Sequence, residues 1–219
     1  MKGFLRILWF LIRFLIIVAL PFFVLIRSSV WLYTNQELST WLAFGGASLL
    51  TFVVLLVYII TIFGLLFGFK KISKNSLRVK VVLVLLALVA YSFFTMVNFD
   101  KKNAKSDQVR KEFRSLHPIL RLGVGSMMVL DRSAIVTDFS RKPSDYDAMG
   151  LKRLKNSLHY KQKDGYVHAM DLRTKNRSGF RNFMVQKYFQ VMGFKTLRHG
   201  GTADHLHISL PPHDKPNVR

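Results

Sequence analysis

Four of the seven histidines fall in two short stretches, SLHYKQKDGYVHAMDLRT at 157–174 and GTADHLHISL at 201–210. His205 and His207 stand two apart in an apolar run, so on a strand both side chains share one face. Asp171 lies on one face of a second expected strand with Ala169, His168 points to the opposite face, and His159 sits in the loop before it. A catalytic zinc commonly takes three protein ligands from His and Asp or Glu and keeps a fourth position open. His159, Asp171 and His207 can supply that shell, so Zn2+ is the expected cofactor. An ion held there would polarise an amide carbonyl and acidify water, and it needs a nearby carboxylate to take and return protons. Asp204 is the candidate carboxylate, and His205 is placed to hydrogen-bond an oxyanion or to orient that carboxylate. His168 could replace His159 only by turning away from its own strand face, and is expected to be structural. His117, His199 and His213, near a helix end, in a turn and in the tail, are expected outside the site.

These residues resemble the signature of the LAS metallopeptidases, the superfamily of D-alanyl-D-alanine carboxypeptidases, D-Ala-D-Ala dipeptidases, phage endolysins and the hedgehog amino-terminal domain. Ser157-Leu158-His159 is similar to the opening of that signature, Ala169-Met170-Asp171-Leu172-Arg173 to its strand, and His205-Leu206-His207 to its close. The likeness covers about residues 109–212. It implies zinc on His159, Asp171 and His207, with Asp204 where the family has its catalytic Glu. Ala134-Ile135-Val136-Thr137 with Arg141 resembles the family's strand and substrate-binding Arg, which implies that Arg141 meets a substrate carboxylate through its two-pronged guanidinium. Two departures stand out: His159 precedes Asp171 by twelve positions where the family usually has seven, and Asp204 is one methylene shorter than Glu. A longer loop can absorb the first, because closure entropy grows slowly with length. The second can weaken or abolish activity if the carboxylate falls short of its water.

The elements that must position these residues are a small α+β domain with a mainly antiparallel sheet, over 101–212. Ser106 is expected to cap a helix running to about Leu116, with Pro118 ending or bending it. Ser126–Leu130 and Ala134–Thr137 read as a strand pair, and Asp138–Gly150 as a loop. Gly165–Leu172 reads as a strand, Ser178–Met192 as a helix closed by Gly193, and Lys195–Leu197 and His205–Leu210 as strands. A disordered tail over 213–219 follows Pro211-Pro212.

Ahead of this domain, residues 1–100 form a transmembrane region with three apolar runs, about 5–26, 41–69 and 79–98, each long enough to cross a hydrocarbon layer. Arg13 interrupts the first and is expected to snorkel. None of the runs contains Asp or Glu, which argues against an ion path. Basic residues before the first run and in the loop containing Lys70, Lys71, Lys74, Arg78 and Lys80 place the amino terminus inside. Three crossings then put the 101–212 domain outside the cytoplasm of a bacterial inner membrane. The 219 residues carry 33 Lys+Arg, 12 Asp+Glu and no Cys, which excludes disulfides, Cys-based zinc knuckles and thiol chemistry. The net +21 suits anionic wall polymers and membrane surfaces, and the lack of an aromatic-interleaved basic motif argues against nucleic acid. The expected function is a membrane-anchored zinc peptidase cutting amide bonds in peptidoglycan stem peptides, as carboxypeptidase or endopeptidase. The alternative is a catalytically silent domain that keeps the fold and binds cell wall or a partner, other membrane proteins included.

Overall fold

A computed structural model describes residues 2–68, 73–148, 150, 152–201 and 204–213. Lys70, Lys71 and the last six residues lie outside the described residues. Three helices, α1 (Lys2–Thr34), α2 (Thr40–Phe67) and α3 (Lys74–Val97), are long and apolar enough to cross a membrane. The amino-terminal two-thirds of α1 exposes its apolar side chains, from Phe4 through Phe22, as a lipid-facing helix would. Its last third is different: Leu25, Ile26, Val30 and Tyr33 are buried in one core with the following domain.

That domain contains α4 (Asp107–Glu112), α5 (Pro118–Leu130), α6 (Pro143–Ala148) and α7 (Gly179–Met192) with four strands, β1 (Val136–Asp138), β2 (Ala169–Arg173), β3 (Lys195–His199) and β4 (His205–Ser209). The strands form one antiparallel sheet in the order β1-β2-β4-β3. Met170, Leu172, Leu206 and Ile208 fill one face and join Val185 and Phe189 of α7 in the core. The opposite face carries Asp171, His205 and His207, as strand alternation requires.

Several elements follow the sequence closely. The Ser106 hydroxyl caps α4 by accepting from the Val109 N–H, and Ser178 caps α7 by accepting from the Arg181 N–H. Gly193 closes α7 at φ 96° in the left-handed region, and a Cβ there would run into the Arg27 guanidinium.

The structure departs from the sequence expectation at four places. Ser126–Leu130 is not a strand; it is the end of α5. Pro118 begins that helix at its first position, where a missing N–H costs nothing, instead of ending the one before. The segment reads as a strand because a short apolar run cannot be told from a piece of a largely buried helix by its pattern alone; here the helix packs between α1, α3 and α7. Gly125 of α5 sits so close to α3 that a Cβ would lie 2.2 Å from the Thr95 carbonyl oxygen. Within Asp138–Gly150, read as loop, Pro143–Ala148 is helical, its entry fixed by Asp145 accepting from the Lys142 N–H. Of the tail expected over 213–219, His213 packs its ring against Tyr33 at 4.3 Å, and the residues after it lie outside the described ones.

Candidate metal centre

The pairing of β2 with β4 sets Asp171 directly opposite His207, so their side chains leave the sheet together. His159 arrives from the loop before β2 and is 2% exposed. That loop makes room for the twelve-residue interval by turning back through Gly165, at φ 81°, and pairing Lys161 with Val167. The result is a triangle of ligand atoms. His159 Nε2 lies 3.3 Å from His207 Nδ1 and 3.4 Å from Asp171 Oδ1, and His207 Nδ1 lies 2.9 Å from Asp171 Oδ1. Tetrahedral ligands at zinc–nitrogen and zinc–oxygen bond lengths stand about 3.3 Å apart, so the three atoms fit one ion.

The surroundings prepare those atoms. His159 Nδ1 faces the Phe139 carbonyl at 2.8 Å, which keeps the ring hydrogen there and turns the Nε2 lone pair to the cluster. Arg141 binds the other Asp171 oxygen, Oδ2, and also Asp138, while its backbone N–H donates to the His159 carbonyl. Burial pushes the Asp171 carboxyl up, but His159, His207 and Arg141 outweigh it and hold the group well below the usual carboxylate range. The guanidinium expected to meet a substrate carboxylate thus meets two carboxylates of its own chain, and its evident effect is to aim Oδ1.

The triangle lies in a cleft of about 750 Å³, within the usual size of a small-molecule or peptide site. Asp204 and His205 also line it. Asp204 Oδ1 accepts from the Thr174 hydroxyl at 2.7 Å and from Arg198 Nε at 3.1 Å, and Oδ2 accepts from Arg198 Nη2 at 2.8 Å. Arg198 and Thr174 hold its carboxyl below the ordinary value, so both oxygens are engaged and the group is a weak base. His205 Nε2 stands 3.8 Å from Asp171 Oδ1.

His199 is the residue that sequence reasoning missed. It ends β3 opposite His205, its ring stacks on that of His205 at 4.7 Å, and it lines the same cleft. Burial, with His205 and His207 beside it, pushes its imidazole below the ordinary value. The available signal was that β3 could continue through Arg198 to His199; ending the strand at Leu197 and placing His199 in a turn hid it.

His168 belongs elsewhere, as its strand face requires. Its Nδ1 faces the Leu210 carbonyl at 2.8 Å and its Nε2 faces Asp164 at 2.9 Å. His117, His168 and Asp164 form a second group whose ligand atoms lie close together. There, however, His117 Nδ1 accepts from the Ile119 N–H, which leaves its hydrogen on Nε2 to donate to Thr40 Oγ1 at 2.8 Å. With Nδ1 held by a backbone N–H, the His117 ring cannot move its hydrogen off Nε2, and so has no lone pair for a metal. This group ties the start of α2 to α5 and to the β2 loop.

Comparison with protein-family models, curated proteins and solved structures finds no match for this chain.

Proposed function

We propose that the chain is a membrane-anchored zinc hydrolase that cuts amide bonds in peptidoglycan stem peptides. The observation that carries the reading is the triangle of His159 Nε2, Asp171 Oδ1 and His207 Nδ1 on the floor of an open cleft. Two nitrogens and one carboxylate suit zinc, which accepts nitrogen and oxygen donors at these spacings. When bound, the ion supplies Lewis acidity toward an amide carbonyl and toward water. The remaining work falls to the chain: Arg141 and the Phe139 carbonyl hold the ligands in place, and His205 and His199 stand at the rim to accept and return a proton. Asp204 is assigned a positioning role, fastening the start of β4 to β3 and to Thr174. The LAS resemblance on Ser157–His159, Ala169–Arg173 and His205–His207 supports this reaction class, and the three apolar spans with their flanking charges support anchorage with the domain on the outer side of a bacterial inner membrane.

The engagement of both Asp204 oxygens favours a second reading, a domain that keeps the metal and binds wall peptides without cutting them. Full-length protein in detergent, loaded with zinc and incubated with stem peptides, separates the two. Release of a D-amino acid or a shortened peptide, abolished in His207→Ala, supports the hydrolase. Peptide binding without cleavage supports the silent domain.

A further inference from the structure

A cavity of about 350 Å³ lies at the amino-terminal end of α7, beside the metal cleft, with which it shares Arg173 and Lys175. Arg173, Lys175, Arg177 and Arg181 line it, with Ser133 and Ser178. The Arg177 side chain is 9% exposed, and only its Nη2 is matched, by Asp131. Its Nε and Nη1 are buried without a hydrogen-bond partner. A buried guanidinium with two idle donors is an arrangement that proteins avoid unless an acceptor arrives. Arg181 Nη1 donates to Ser133 Oγ at 3.2 Å, which brings a second guanidinium to the same wall. The cavity also sits at the positive end of a 14-residue helix. Three guanidinium groups, one ammonium and a helix terminus against the carboxylate of Asp131 suit an oxyanion such as a phosphate.

The surroundings identify where such an anion comes from. Phe180 in the first turn of α7 is 72% exposed, and Phe183, Met184 and Val191 continue the same stripe while Val185 and Phe189 face the core. Val129 and Leu130, also exposed, end α5 one residue before Asp131. The other end of α7 abuts Arg27 and Val30, just beyond the exposed apolar stretch of α1 and level with the exposed Trp31. Thus α7 meets α1 at one end and the cationic cavity at the other, and the exposed aromatic and apolar side chains along it can enter a lipid surface.

We propose that this cavity binds the phosphate of an anionic membrane lipid, with Phe180, Phe183 and Met184 entering the acyl region beside it. The assignment is independent of the peptidase reading. The full chain, reconstituted into phosphatidylcholine nanodiscs containing a minor fraction of phosphatidylglycerol, is examined by native mass spectrometry for retained lipid. Lys175→Gln/Arg181→Gln removes two exposed charges without touching the Arg177–Asp131 pair, and Lys152→Gln/Lys155→Gln removes two on a loop that does not line the cavity. The expected result is preferential retention of phosphatidylglycerol by the wild type and the loop variant, reduced about tenfold or more in Lys175→Gln/Arg181→Gln. Equal retention in all three overturns the site. Displacement of the lipid by low concentrations of inorganic phosphate overturns the lipid assignment in favour of a soluble phosphate ligand.

Discussion

At the scale of single residues, the site depends on how each ligand atom is freed for its task. Asp171 offers Oδ1 because Arg141 occupies Oδ2, and His159 offers Nε2 because Phe139 occupies Nδ1. The juxtaposition of Asp171 and His207 was legible from strand alternation, since each had only one face to occupy. The use of Arg141 was not, because a charged side chain in a loop shows no direction in sequence. Asp204 and His199 mark the same limit: whether a polar group is free or engaged is settled by partners distant in sequence, here Thr174 for one and His205 across the β3–β4 pair for the other. The account predicts that His199→Ala leaves metal content unchanged and lowers amide hydrolysis by about 10²-fold or more, the usual contribution of a positioned proton carrier. Equal activity in wild type and variant, measured on the same stem peptide, would remove His199 from the chemistry.

At the scale of elements, strands β3 and β4, the second half of the strand expected over Gly165–Leu172, and helix α7 were legible because caps and alternation agreed with the packing they serve; Gly165–His168 lies in the turn before β2. α5 was not, because its last five residues form a short apolar run that pattern alone does not assign to helix or strand. Its contact with α3 rests on Gly125, and Gly125→Ala should destabilise the full chain by about 1–3 kcal/mol in a thermal or denaturant melt, since a Cβ cannot fit against the Thr95 carbonyl. The amino-terminal end of α5 carries a pH dependence. Burial pushes the His117 imidazole well below 6.5, with His168, Arg121 and His213 acting in the same direction and Asp164 opposing. His117 is therefore neutral in the fold and gains a proton more readily when unfolded. Its contribution is complete above about pH 6.5 and is lost as the pH falls from there toward the folded value. Melts of wild type and His117→Gln should converge as the pH is lowered from 7 to 5. Parallel curves would show that His117 is not the titrating group.

At the scale of the whole molecule, the sequence shows two halves of contrasting composition, and the structure joins them through one core. Leu25, Ile26, Val30 and Tyr33 of α1 pack with the domain, and Thr40 of α2 bonds His117. Composition revealed the three spans but not this junction, because apolar residues that face lipid and apolar residues that face protein look alike in sequence. Residues 101–219 expressed alone should therefore be recovered as aggregate or only in detergent, whereas the full chain is monodisperse by size exclusion. A soluble, cooperatively melting fragment would show that the junction is dispensable. The central claim, a metal ion on three named side chains, is tested most directly by elemental analysis of the full-length protein purified in detergent, beside His159→Ala, Asp171→Ala, His207→Ala and His168→Ala. The account predicts about one zinc per chain in the wild type and in His168→Ala, and close to none in the other three. Folded wild-type protein that takes up no zinc on supplementation, or zinc that persists in all four variants, would contradict it.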